Sequence, residues 1–202
     1  HPFYRWIAEE LGEGAAPPDL GHTLSTLYNP LVLSLRALPM PVVCAVNGVA
    51  AGAGANLALA CDIVLAARSA SFIQAFCRIG LIPDCGGTYF LPRLVGSARA
   101  MALALLGDKL PAEQAADWGL IWKVVDDDKL AAEALGLARH LATQPTKGLA
   151  LIKQALHQSA GNTVAEQLAA EADLQRQAGT TQDYREGVAA FLGKRPARFT
   201  GQ

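Results

Sequence analysis

One carboxylate stands out from its surroundings. Asp84 sits within Gly80-Leu81-Ile82-Pro83-Asp84-Cys85-Gly86-Gly87-Thr88, an apolar run that turns on two glycines. Apolar neighbours withdraw water from a carboxylate and raise its pKa, which suits it to proton transfer near neutral pH. A helix opening at Gly86 would pull that pKa the other way, and the same aspartate could instead cap the helix. A second glycine turn lies upstream, Asn47-Gly48-Val49-Ala50-Ala51-Gly52-Ala53-Gly54. Backbone N–H groups at a helix start have no intrahelical partner, so this turn could hold a carbonyl oxygen that gains charge. Close packing of a small-residue helix on a sheet would explain the same glycines without any chemistry. A dinucleotide site does not fit, because Leu57 stands where a third glycine belongs and Asp62 comes too soon for a ribose carboxylate.

The remaining reactive residue types suggest less. Cys44, Cys61, Cys77 and Cys85 form no C-x-x-C pair and no metal spacing with histidine, and they read as buried thiols. His1, His22, His140 and His157 have no adjacent nucleophile, and no G-x-S-x-G elbow is present. Asp62, at the start of an apolar strand pattern, reads as a turn or capping residue.

The elements that must position Asp84 and the upstream turn follow from periodicity. Leu24, Leu27, Leu31, Leu35 and Leu38 recur at three and four residues and predict a helix over 23–38, with Pro30 as a kink. Continuous apolar runs predict buried strands at 42–46 and 62–67, a short strand at 71–73 and another at 121–125. Between them come a small-residue helix from Ala55 to Cys61, a helix after the second turn interrupted at Pro92, and helices at 97–106 and 111–118. Beyond Asp126 the pattern is helical throughout, at 128–142, 146–159, 163–178 and 182–192. The architecture is therefore α/β first and all-helical last. Residues 3–11 could form a short helix, followed by a linker over 12–18 rich in glycine, alanine and proline.

Composition limits the partners. With 51% apolar and 17% charged residues in 202, the chain can bury one large core and has apolar surface to spare for a subunit interface. A net charge of −1 gives no reason to expect nucleic acid or an anionic membrane. No apolar run approaches the roughly 18 residues of a spanning helix and no signal peptide is visible, so a cytoplasmic location is the default expectation.

The combination Asn47-Gly48, Gly52-Ala53-Gly54, Cys61-Asp62-Ile63 and residues 80–88 resembles the crotonase, or enoyl-CoA hydratase/isomerase, superfamily. The resemblance runs from about residue 17 to 202. It implies a spiral of β-β-α units (19–127) followed by helices (128–202) that build a homo-trimer, usually paired as a dimer of trimers. It also implies an acyl-CoA thioester as ligand. No metal and no separate cofactor are implied, since coenzyme A enters as part of the substrate. Residues 1–18 fall outside the resemblance, and the family's first strands, with the first oxyanion donor, would precede Asp19. On that expectation the chain holds one donor of two.

Residue by residue, Ala53 matches the second oxyanion donor, flanked by Gly52 and Gly54. Asn56 and Phe76 match the two glutamates with which the hydratases handle water, and neither can move a proton, so hydration is not expected. Asp84 matches the aspartate of the isomerases, with Gly86, Gly87 and Tyr89 beside it in the binding wall. Segments 83–88, 102–107 and 119–127 resemble the isomerase group of phenylacetate degradation. The implied reaction is isomerisation of a CoA ester through an enolate. A 3-enoyl double-bond shift and a non-catalytic CoA-ester-binding role are the alternatives. Phe191 and Lys194 resemble the family's tail, which can approach a neighbour's CoA.

Overall fold

Proline and glycine decide where the long helices bend. The computed structural model describes residues 18–202; the helix expected at 3–11 lies outside them. Helix α1 runs Leu20–Thr23 as α-helix, Leu24–Tyr28 as a π turn and Asn29–Ala37 as α-helix again. Pro30 lacks an N–H and its ring crowds the carbonyl four residues back, so the widened turn just before it lets the helix continue. Asp19 caps its start by accepting from His22 N–H at 2.8 Å.

Two three-stranded sheets are then laid down in alternation. Strands β1 (Val43–Val46), β3 (Ile63–Ala67) and β6 (Lys123–Val125) form an all-parallel sheet in the order β1-β3-β6. Strands β2 (Val49–Ala51), β4 (Ser71–Ile73) and β5 (Lys109–Pro111) form the other, with β2 parallel and β5 antiparallel to β4. From β1 to β4 the strands step from one sheet to the other, β5 then stays beside β4 and β6 returns to the first sheet, and helices α2 (Ala53–Leu59) and α3 (Gly87–Leu106) follow β2 and β4. This is the expected spiral of β-β-α units. The core between the layers is built from small and β-branched side chains, with Ala55, Ala60, Leu65, Ala66 and Leu91 at 2% exposure or less. Alanine on α2 permits the close approach that buries it.

Three sequence expectations are corrected here. The stretch 47–54 is not one continuous turn, because Val49–Ala51 pairs with Ser71–Ile73. Pro111 ends β5 and caps α4 (Ala112–Asp117) rather than opening that helix. Helix α3 is broken at Gly96 (φ 77°, ψ 163°), not at Pro92, which the helix accommodates. End to end, Gly87–Leu106 has the length and apolarity of a membrane span, but the break divides it. Phe90, Leu91, Val95, Ala100 and Leu103 on it are buried in the core. Nothing lies within 4 Å of where a Cβ at Gly96 would be, so Gly96→Ala tests the backbone alone. We expect a loss of about 1–3 kcal/mol in urea unfolding.

Helices α5 (Leu130–Ala142), α6 (Thr146–Ser159), α7 (Val164–Gly179) and α8 (Gln182–Leu192) complete the described chain. Helix α5 packs on β1 and β3 and so covers the parallel sheet. From α6, Lys153 reaches back into the core, donating to the carbonyls of Leu35 (3.1 Å) and Met40 (3.2 Å). Its ammonium also lies 2.8 Å from the Asp62 carboxylate. Asp62 in turn accepts from Val42 N–H at 2.8 Å, which anchors the entry to β1. A capping box at Thr163 and Glu166 opens α7.

Candidate active site

The glycine turns meet because β4 holds one and α2 holds the other. Gly52 donates its N–H to the Ile73 carbonyl at 2.9 Å, which ties the first turn to the end of β4. Its φ of 55° and the ring of Phe76, 3.4 Å from where a Cβ would stand, leave glycine as the fitting residue. Ala53 is the first residue of α2, so its N–H has no acceptor within the helix. It is half-buried, and Gly54 is exposed.

One turn along the same face of α2 stands Asn56, fully buried. Its Nδ2 donates to the Asp84 carbonyl at 2.8 Å, and its Oδ1 accepts from Gln74 Nε2 at 2.8 Å. The Asp84 carbonyl also accepts from Gly87 N–H at 2.8 Å, closing a tight turn over residues 84–87. Positive φ at both central residues, Cys85 (48°) and Gly86 (82°), is the pattern of a type I′ turn. Glycine is required at 87, since a Cβ there would come within 2.3 Å of Asn56 Nδ2. Gly87→Ala should therefore push Asn56 off the Asp84 carbonyl. We expect a loss of about 1–3 kcal/mol in stability, read by thermal melting, together with reduced turnover.

Helix α3 has Gly86 at its N-cap and no side-chain cap, so Asp84 is not spent on capping. The Asp84 Oδ1 is buried without a partner among the described residues. Burial pushes this carboxyl above the usual aspartate range, partly offset by the Cys85 thiol and a backbone N–H. Burial and the neighbouring carboxylate push the Cys85 thiol up to about 12, so it stays protonated. The arrangement is an elevated carboxyl on a turn that Asn56 ties to the first turn of α2. Such a carboxyl can move a proton while the N–H end of the helix holds a developing oxyanion.

The predicted site residues divide. Gly52, Ala53, Gly54, Asn56, Phe76, Asp84, Gly86 and Gly87 gather around the two turns. Asn56 and Phe76 form buried walls, at 0% and 1% exposure, and Asn56 has its amide committed to Asp84 and Gln74. Tyr89 does not join them. It lines a separate cleft of about 510 Å3 with Arg36, Leu149, Lys153 and His157, where the Arg93 guanidinium lies 3.7 Å over its ring. That cleft contains neither Asp84 nor Ala53. Asp62 proves to be one member of an ion cluster at its floor, with Lys153 and His157 (3.3 Å). Of the cysteines only Cys85 is buried, and the other three are half-buried. Sequence reasoning missed Gln74, an amide whose value lies wholly in what it touches. Among the described residues no group of three or more metal-ligating side chains occurs.

The Enoyl-CoA hydratase/isomerase family profile matches residues 10–202, beginning somewhat before the region whose motifs carried the resemblance. A 1,2-epoxyphenylacetyl-CoA isomerase of Escherichia coli (strain K12) is 64% identical over 185 residues, spanning 92% of this chain and 71% of its own. A probable enoyl-CoA hydratase of Rhodobacter capsulatus is 52% identical over 195 residues, 96% of this chain and 76% of its own. The crystal structure of an enoyl-CoA hydratase from Polaromonas sp. JS666 superposes with a TM-score of 0.88 at 36% identity. It covers 98% of this chain and 76% of that one. The chain belongs to the enoyl-CoA hydratase/isomerase family.

Proposed function

We propose that the protein is an acyl-CoA isomerase that converts ring-1,2-epoxyphenylacetyl-CoA to oxepin-CoA, with Asp84 as its single acid/base. The observation that carries this is the elevated, partly buried Asp84 carboxyl on a turn that Asn56 ties to the first turn of α2, with an amide at 56 and a phenyl ring at 76. The likeness to the 1,2-epoxyphenylacetyl-CoA isomerase supports the choice of substrate. In this reading the carboxylate takes a proton from a carbon activated by the thioester carbonyl, whose oxygen gains charge against Ala53 N–H. The carboxylic acid then returns the proton at another carbon, and in the epoxide the ring C–C bond bridged by oxygen opens as the double bonds rearrange, giving the seven-membered oxepin with nothing added or lost. Hydration would need a second group to activate water, and neither Asn56 nor Phe76 can do so. Ile79 and Ile82, exposed on the segment leading into Asp84, offer apolar surface to an acyl group.

A shift of a 3-enoyl-CoA double bond needs only the same carboxylate and donor, and forms the second reading. Turnover of the epoxide compared with a 3-enoyl-CoA tests the pair. Preference for the 3-enoyl ester would overturn the epoxide assignment, and turnover of neither would overturn catalysis. Exposed Leu168, Phe191 and Leu192 on the C-terminal helices support a homo-trimer or dimer of trimers. Light scattering of the purified protein checks it, and a monomer would refute it.

A further inference from the structure

Two buried amides stand between the glycine turns, and their order is dictated by what they face. The Asp84 carbonyl can only accept, so Asn56 must turn Nδ2 toward it and Oδ1 away. That oxygen can also only accept, so Gln74 must present Nε2. The Oε1 of Gln74, itself 3% exposed, is left without a partner among the described residues. A buried acceptor left empty is costly, so the arrangement is not the one that would best satisfy Gln74 alone.

What the chain of amides holds is a strained turn. Cys85 adopts φ 48° without being glycine, a conformation that persists only where the surroundings over-determine it. The turn's own hydrogen bond, from Gly87 N–H, is one restraint. The Asn56 amide, wedged against Gly87, is the other. We propose that Gln74, acting through Asn56, is a positioning residue that locks residues 84–87 and so fixes the direction of the Asp84 carboxylate relative to α2, the helix that carries Asn56. The proposal rests on the isomerase reading above. It differs from plain core filling in that the polarity of the amides, and not their bulk, is what matters.

Three variants of the full chain separate these cases. Gln74→Met keeps the volume and removes the donor. Gln74→Glu offers carboxylate oxygens where the donor was, so Asn56 must turn its NH2 toward position 74 and its oxygen toward the Asp84 carbonyl. Asn56→Leu removes the link. With a 3-enoyl-CoA or the epoxide as substrate, the Gln74 variants should lose about 10- to 100-fold in kcat, the glutamate more than the methionine, with KM within about twofold. In the Asn56→Leu background, Gln74→Met should change kcat by less than about twofold, because its route to Asp84 is already cut. Independently of turnover, the Asp84 carboxyl followed by 13C NMR should titrate lower in each variant, as a loosened turn lets water reach it.

Unchanged kcat in folded Gln74→Met with an unmoved Asp84 titration would overturn the proposal, as would a rise in KM alone. A parent protein that isomerises neither ester would sink the isomerase reading, and the Asp84 titration would still decide the positioning role. Should Gln74→Glu or Asn56→Leu fail to fold, Gln74→Met, the least disruptive change, carries both readouts.

Discussion

Replacing Asp84 by asparagine should abolish turnover and at the same time raise the melting temperature. A positioned acid/base contributes about 10²–10⁴-fold, so kcat should fall by at least that range while CoA-ester affinity, measured by calorimetry, stays near the parent's. The gain in stability follows from the direction of the Asp84 shift. Burial raises its folded pKa above the unfolded value. The group's stabilising contribution is therefore complete below the ordinary aspartate pKa and is lost as pH rises through the elevated folded value. Once ionised, the half-buried carboxylate, with one oxygen unpartnered, is a cost that asparagine removes. An increase in Tm of about 2–4 °C, the shift that about 1 kcal/mol produces in a chain of this size, is expected. The acid limb of kcat/KM in the parent should lie above the ordinary aspartate value, since only the carboxylate abstracts a proton. Retained turnover, or a variant that melts lower, would refute Asp84 as a strained general base.

The second large effect is remote from the chemistry. Lys153 and Asp62, at 7% and 14% side-chain exposure, form an ion pair whose remaining hydrogen bonds are nearly all satisfied. Removing one partner of such a pair leaves an uncompensated charge in the interior and costs about 3–5 kcal/mol. Lys153→Met should accordingly lower Tm by roughly 6–20 °C. His157 cannot take over at pH 7, because burial and then the nearby Arg36 hold its pKa below the ordinary histidine value. As pH falls into the histidine range, a charged imidazole faces Asp62 in place of the lost ammonium, so the deficit of Lys153→Met relative to the parent should shrink. The double variant Asp62→Leu/Lys153→Met should lose less than the sum of the single changes. An additive double variant would show that the two charges act separately.

The fold was legible in the sequence wherever one residue type settles a backbone choice. Val42 to Val46 reads as a strand because its apolar run is continuous, and β1 occupies Val43–Val46, but the burial expected of it is met only at Val46, since Val43 and Cys44 are half-buried and Ala45 is exposed. Strands β2 and β5 were not legible. Each is three residues long, too short for periodicity, and exists because β4 offers it a partner. The site was half legible. Asp84 and the Gly52 turn announce themselves by composition, since a carboxylate in an apolar run and a paired glycine are locally odd. Asn56 could be read only as a missing glutamate, and its hydrogen bond to a carbonyl 28 residues away depends on the closed fold. Gln74 gave no local signal at all. Tyr89 sits next to the second turn in sequence, but on a helix neighbouring residues point in different directions, and its ring turns into the other cleft.

The reach of Lys153 also bears on time. Its two carbonyl partners are 118 and 113 residues away along the chain. Closing so long a loop costs entropy that few early contacts can offset, so this junction should form after the rate-limiting barrier to folding. Weakening it would then accelerate unfolding and leave the refolding rate nearly untouched. On that view the lysine acts as a latch on the finished molecule, setting how long the native state lasts once it has been reached.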